Sequence, residues 1–149
     1  MNLNSNKMFI IGSDHAGYEL KDNIINFFKK ENIEFIDVGV KDINPSDYPD
    51  LAHDFCEKMK LMDIKSGVLI CGSGIGMSIT ANRHQKIRAA LCLNEKMVKL
   101  SRKHNNANVL VLGSRLISSE EAIKCIKCFI QTPFEAGRHL TRVNKIDFN

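Results

Sequence analysis

At 149 residues, 44% of them hydrophobic and 26% charged, the chain has the size and balance of one soluble globular domain with a substantial core. Its net charge of +4 is mild and its Lys and Arg are scattered, so nothing forces a nucleic-acid partner, and no apolar run approaches a membrane span. Five cysteines in no framework spacing (Cys56, Cys71, Cys92, Cys125, Cys128), with no signal peptide, suit the reducing cytoplasm.

In chain order, the polar residues 1–7 read as a flexible tail and 8–149 as a single domain. Met8 to Gly12 is a buried strand, and a helix from about Gly17 to Glu31 carries Leu20, Ile24, Phe27 and Phe28 at helical spacing. Ile33 to Val38 is the second strand, followed by a polar turn, Lys41 to Pro49. Pro49 suits the first turn of a helix with Leu51, Ala52, Phe55, Cys56 and Met59 on one face. Gly67 to Cys71 is the third strand, Met77 to Asn82 a short helix, Ile87 to Leu93 the fourth strand and Glu95 to His104 a helix. Val109 to Leu112 is the fifth strand. Ser118 then starts a helix with acids in its first turn, and a last helix runs from about Phe134. Cys125 and Cys128 have CxxC spacing without a second Cys or His pair, so two core-facing thiols one turn apart fit better than a metal site.

Apolar strands alternating with helices predict an α/β fold: a Rossmann-like three-layer α/β/α sandwich with a five-stranded parallel sheet and an additional C-terminal helix. Ligands in such folds bind beyond the carboxyl ends of the strands. Those loops hold Ser13-Asp14-His15, Asp47-Tyr48, Cys71 to Gly76 and Gly113-Ser114-Arg115.

The segment "LICGSGIGMS" (69–78) is the most informative. A dinucleotide fingerprint needs a glycine at 77, a P-loop needs a Gly-Lys-Ser/Thr, and a cysteine phosphatase needs an arginine at 77; Met77 and the missing lysine exclude all three. What remains is a cysteine that ends a strand and faces a helix start, where free N–H groups and the helix dipole favour a thiolate. Glycines 72, 74 and 76 let the backbone approach a ligand and turn N–H groups towards an oxyanion or a phosphate. A buried core thiol beside a plain tight turn fits the same residues.

"GSDHAG", "DYPD", "CGSGIGMSITANR", "SRKHNNANVLVLGSR" and "FEAGRHLTRV" occur in this order over nearly the whole chain. Together they resemble ribose-5-phosphate isomerase type B, within a family that also includes allose-6-phosphate and galactose-6-phosphate isomerases. The resemblance implies aldose–ketose isomerisation of ribose 5-phosphate to ribulose 5-phosphate through a cis-enediolate, without metal or organic cofactor. Cys71 matches the family's base and Ser73 a hydroxyl that shuttles the oxygen-bound proton; His104 matches the ring-opening acid–base, beside Asn105. Asp14 and Tyr48 match residues lining the sugar hydroxyls, and Gly72, Gly74, Ile75 and Gly76 the backbone around the enediolate. His15, Arg115, Arg138 and Arg142 match the phosphate end. Asp47 is either an assistant or a solvated turn carboxylate.

The resemblance further implies a homodimer, or a dimer of dimers, in which Arg138 and Arg142 reach the neighbouring subunit's site. Its partner is a sugar phosphate, with no nucleic acid and no membrane. Without the resemblance, "RHLTR" (138–142) reads as a solvated basic helix face. The competing functions are a hexose-phosphate isomerase with the same mechanism and a non-enzymatic nucleotide-binding module, which would leave Asp14-His15 and His104-Asn105 without a role.

Overall fold

In the computed structural model, which describes residues 8–147, five strands each lead into an α-helix and a sixth α-helix follows the fifth. The expected tail, 1–7, lies outside those residues. β1 (Phe9–Ser13), β3 (Gly67–Cys71) and β5 (Val109–Gly113) are buried throughout; β2 (Phe35–Asp37) and β4 (Ala89–Leu91) are half-buried. All four ladders are parallel, in the order β2-β1-β3-β5-β4. The unbroken apolar runs of the inner strands require this arrangement, because a parallel sheet is covered on both faces.

Alternation along each strand sends its residues into two separate cores. Ile11, Val68, Ile70, Leu110 and Leu112 pack against α1 (Tyr18–Lys30), α4 (Glu95–Asn105) and α5 (Ser119–Gln131), through Ile24, Phe28, Val98, Ala122 and Ile126. On the opposite face Ile10, Leu69, Val109 and Val111 meet Phe55 and Met59 of α2 (Tyr48–Leu61) and Met77 and Ala81 of α3 (Ile75–Ala81). The result is the three-layer sandwich expected. Full burial of one Ile or Leu contributes about 1.5–3 kcal/mol, so the two cores carry most of the stability.

Four elements differ in extent from the sequence reading. The last helix, α6 (Arg138–Val143), does not begin at Phe134, because Ala136 (φ 54°) and Gly137 (φ 49°, ψ −129°) turn the chain out of helical geometry just before it. α3 begins two residues early, at Ile75: Gly74, at φ 77°, swings the chain from the strand straight into the helix, which a residue with a Cβ resists. β2 and β4 are shorter than expected because each lies at a sheet edge, with a ladder on one side only.

Two polar features stabilise the frame. Lys21 is 1% exposed; its ammonium sits 2.7 and 2.8 Å from the Asp37 carboxylate oxygens and 2.7 Å from the Val40 carbonyl. Burial alone pushes the Asp37 carboxyl up, but hydrogen bonds from Lys21, Lys41 and the Gly39 N–H outweigh it and hold it below the usual carboxylate range. The arrangement pins residues 37–41 across the end of β1, where the Val40 N–H donates to the Ser13 carbonyl at 3.1 Å. At the other edge, the Asn82 amide faces β4. Its Oδ1 accepts from the Ala89 N–H and its Nδ2 donates to the Ala89 carbonyl, both at 2.9 Å.

Candidate active site

The chain leaves β1 for β2 on one side and returns to β3 on the other, so sheet order reverses between β1 and β3. Ligands of open α/β sheets sit at that crevice, beyond the carboxyl ends of the strands. Asp14 and Cys71 occupy it. The Asp14 N–H donates to the Ile70 carbonyl at 3.2 Å, which holds residue 14 beside the end of β3. Asp14 is 5% exposed, and its Oδ1 caps a single 3-10 turn (His15–Gly17) by accepting from the Gly17 N–H at 3.0 Å.

Cys71 ends β3 with its side chain buried, and the Gly74 N–H donates to Sγ at 3.1 Å. Such an N–H is the contact a thiolate accepts. The Ser73 Oγ accepts from the Ile75 N–H at 3.3 Å. The loop is fixed from the β5 side: the Ser114 N–H donates to the Cys71 carbonyl at 2.8 Å and the Arg115 N–H to the Gly72 carbonyl at 3.0 Å. The Arg115 guanidinium covers Gly72 so closely that a Cβ there would lie 2.9 Å from Nη1. The Tyr48 ring lies on Gly76, where a Cβ would overlap the ring. His15 joins through Ser46, whose N–H donates to Nδ1 at 3.1 Å, so the neutral ring carries its proton on Nε2.

One end of the sheet therefore gathers Asp14, His15, Tyr48, Cys71 to Gly76 and Arg115. Asp47 precedes α2 as an exposed residue and makes no side-chain cap.

His104, Asn105, Arg138 and Arg142 are elsewhere. α4 runs back alongside the sheet for 11 residues, about 16 Å, and delivers His104 and Asn105 to the amino end of β5. Cys71 pairs in register with Gly113 at the carboxyl end of that strand, about 13 Å further along. The sequence reading assigned only Arg138 and Arg142 to a neighbouring subunit; His104 and Asn105 lie at their pole, not with Cys71 of the same chain. His104 does not cap its helix, because Asn106 closes α4 through its own N–H to the Ser101 and Arg102 carbonyls. Its ring instead stacks on His139 of α6, 4.3 Å between centroids and 13° between planes.

His139 was missed by the sequence reading, as its spacing places it off the arginine face. It is 8% exposed; burial, then the charges of His104, Arg138 and Arg142, push its pKa below the usual imidazole range. Glu135 is held below the carboxylate range, first by a hydrogen bond from Lys103. Arg138 and Arg142 are exposed on α6, four residues apart. A cleft of about 930 Å³ also opens at this pole, among Phe9, Ile64, Ser66, Arg88, Arg102 and Asn108, and no residue of the Cys71 loop lines it.

Three of the other thiols are inert by burial, which pushes Cys56 and Cys125 up to about 12 and Cys92 to about 11. Cys128 is half-buried and donates to the Glu95 carbonyl at 3.7 Å, beside Cys125 in the α5 face that the sequence assigned to both. No helix among the described residues is long and apolar enough to cross a membrane.

Residues 9–146 match the family model described as Ribose/Galactose Isomerase. A solved ribose 5-phosphate isomerase from Thermotoga maritima is 45% identical and superposes with a TM-score of 0.92, covering 96% of this chain and 99% of that one. A ribose-5-phosphate isomerase B from Mycoplasma genitalium with bound ribulose-5-phosphate is 39% identical, with a TM-score of 0.88 and coverage of 95% and 94%. The ribose-5-phosphate isomerase B of Escherichia coli is 36% identical over 140 residues, 94% of each chain. With the whole sheet, the Cys71 loop and α6 inside the matched span, the chain belongs to the ribose/galactose isomerase family.

Proposed function

We propose that the protein interconverts D-ribose 5-phosphate and D-ribulose 5-phosphate in the cytoplasm, as a homodimer whose sites each draw on both chains. The observation that carries this reading is Cys71 at the point of sheet reversal, with the Gly74 N–H on its sulfur and Asp14, Tyr48 and Arg115 around it. The Cys71 thiolate takes the proton from C2 of the open-chain aldose. The C–H electron pair becomes the C1–C2 double bond of an enediolate, and the same sulfur returns the proton to C1 to give the ketose. Backbone N–H groups from Gly72 to Gly76 hold the developing oxyanion, and Ser73 moves the oxygen-bound proton. Asp14 and Tyr48 face the sugar hydroxyls, and His15 and Arg115 take part of the phosphate.

The remaining functions come from the second chain. Met97 and Leu100 are 40% and 43% exposed and fall on the same side of α4 as His104, with Leu93, 40% exposed, just before the helix; Ile75 and Ile79 of α3 are 53% and 55% exposed. Both stripes flank the edge strand β4, an apolar surface of the kind that marks an interface. A two-fold axis perpendicular to the strands sets the Cys71 pole of one chain against the His104 pole of the other. His104 then opens the sugar ring of the neighbour's substrate with Asn105 beside it, and Arg138 and Arg142 grip the phosphate.

The test is turnover of ribose 5-phosphate with EDTA present, for wild type and Cys71→Ser. We expect activity in wild type and a loss of about 10³-fold or more in the variant, with folding intact. Wild-type turnover of allose 6-phosphate or galactose 6-phosphate alone would keep the mechanism and change the substrate. A fully active variant, or a wild type inert towards all three sugars, would overturn the proposal.

A further inference from the structure

Three potential metal-binding side chains meet at the pole opposite Cys71: His104 at the end of α4, Glu135 in the loop before α6 and His139 in its first turn, with one ligand atom from each all within 4.8 Å of one another. We infer that these three residues form a binding site for one divalent transition-metal ion of the zinc class, and that occupancy inhibits the enzyme by capturing His104. The inhibitory part rests on the function proposed above; the metal site does not.

Two imidazoles and a carboxylate are a common ligand set for zinc, with bonds of about 2.0–2.2 Å and a fourth position left to water. Tetrahedral ligands around such an ion lie about 3.3 Å apart, so each pair has at most ~1.5 Å to close. The movable members are on the right side of the cluster. Glu135 is 46% exposed on a loop, and His104 is half-buried, so its ring can turn out of the stack. His139 is the fixed member. Its Nε2 is 4.0 Å from Glu135 Oε2, outside hydrogen-bond reach, so a buried ring nitrogen faces the carboxylate without bonding to it.

Opposing the ion are Lys103, 2.8 Å from Glu135 Oε1, and the guanidinium groups of Arg138 and Arg142. Their repulsion makes this an exchangeable site, not one holding a permanent cofactor. The surface pair His53 and His84 is a poorer candidate, because the two rings already hydrogen-bond to each other at 2.7 Å.

The experiment titrates the full chain at pH 7.5 with Co²⁺ as spectroscopic probe, then displaces it with Zn²⁺. We expect one ion per chain, a tetrahedral visible spectrum and no thiolate charge-transfer band. Cys71→Ser should bind equally well. Glu135→Gln and His139→Asn should each weaken binding at least tenfold, and Lys103→Met should tighten it. Zn²⁺ should inhibit wild-type isomerisation reversibly with EDTA, and Glu135→Gln should need at least tenfold more Zn²⁺. No binding, a thiolate band, or affinity unchanged in Glu135→Gln overturns the site, with Glu135→Gln deciding if His139→Asn misfolds. Binding as described in a protein without isomerase activity would refute the proposed function and leave the metal site standing.

Discussion

Replacing Asp37 by Asn strands the Lys21 ammonium, which is 1% exposed, with the Val40 carbonyl and an amide oxygen as its remaining acceptors. Removing one partner of a buried pair costs about 3–5 kcal/mol, because the other charge stays out of water. The reverse change, Lys21→Met, is milder. Asp37 is 24% exposed and keeps Lys41 and the Gly39 N–H, each at 2.9 Å, so the loss is closer to ~1.5–3 kcal/mol. For a chain of this size each kcal/mol lowers Tm by roughly 2–4 °C, which separates the two variants in a thermal melt and in urea midpoints at unchanged slope. The double variant should be more stable than Asp37→Asn alone, since no ammonium is left stranded. The pH dependence has a definite sign. Asp37 is held below its unfolded value of about 3.9, so its contribution is complete above that pH and fades as pH falls through the lower folded value. The gap between wild type and Asp37→Asn should therefore narrow below about pH 4. A Lys21→Met variant as unstable as Asp37→Asn, or a gap that widens in acid, would refute the reasoning.

Two other expectations concern the site and its assembly. Gly76→Ala places a methyl group in the Tyr48 ring; that ring is 40% exposed and can swing away, so the fold survives while KM rises about tenfold, ~1.4 kcal/mol, in steady-state kinetics. A KM within twofold of wild type would count against a sugar-binding Tyr48. Leu100→Glu puts a charge in the exposed stripe of α4 at no cost to either core, and sedimentation should show monomers that are folded but inactive. Active monomers would show that one chain holds a whole site.

Much of the fold was legible because its strands are unambiguous. Phe9–Ile11, Val68–Ile70 and Val109–Leu112 are apolar runs that suit the middle of a parallel sheet, and each lies in the strand expected. The loops beyond their ends were legible for the same reason, which is how Asp14, Tyr48, Cys71 and Arg115 come together. The start of α6 was not, since it follows a left-handed turn at Ala136, of which alanine gives no local sign. The burial of Lys21 has no local sign either, because it depends on Asp37, 16 residues away on another element. His104 stands out by its motif, but its place in space does not, because spacing along the chain does not say at which end of a returning helix a residue lies.

The Asn82 side chain has a wider consequence for how copies of this protein meet. Ala89 exposes its N–H and carbonyl at the free side of β4, where an extended segment from another molecule could add as a sixth strand. By occupying both groups, one amide acts as a surrogate strand a single residue long and blunts the edge for β-augmentation. In the homodimer proposed above, association at this end of the sheet is thereby left to the side chains of α3 and α4, which favours a closed pair over an open-ended cross-strand polymer.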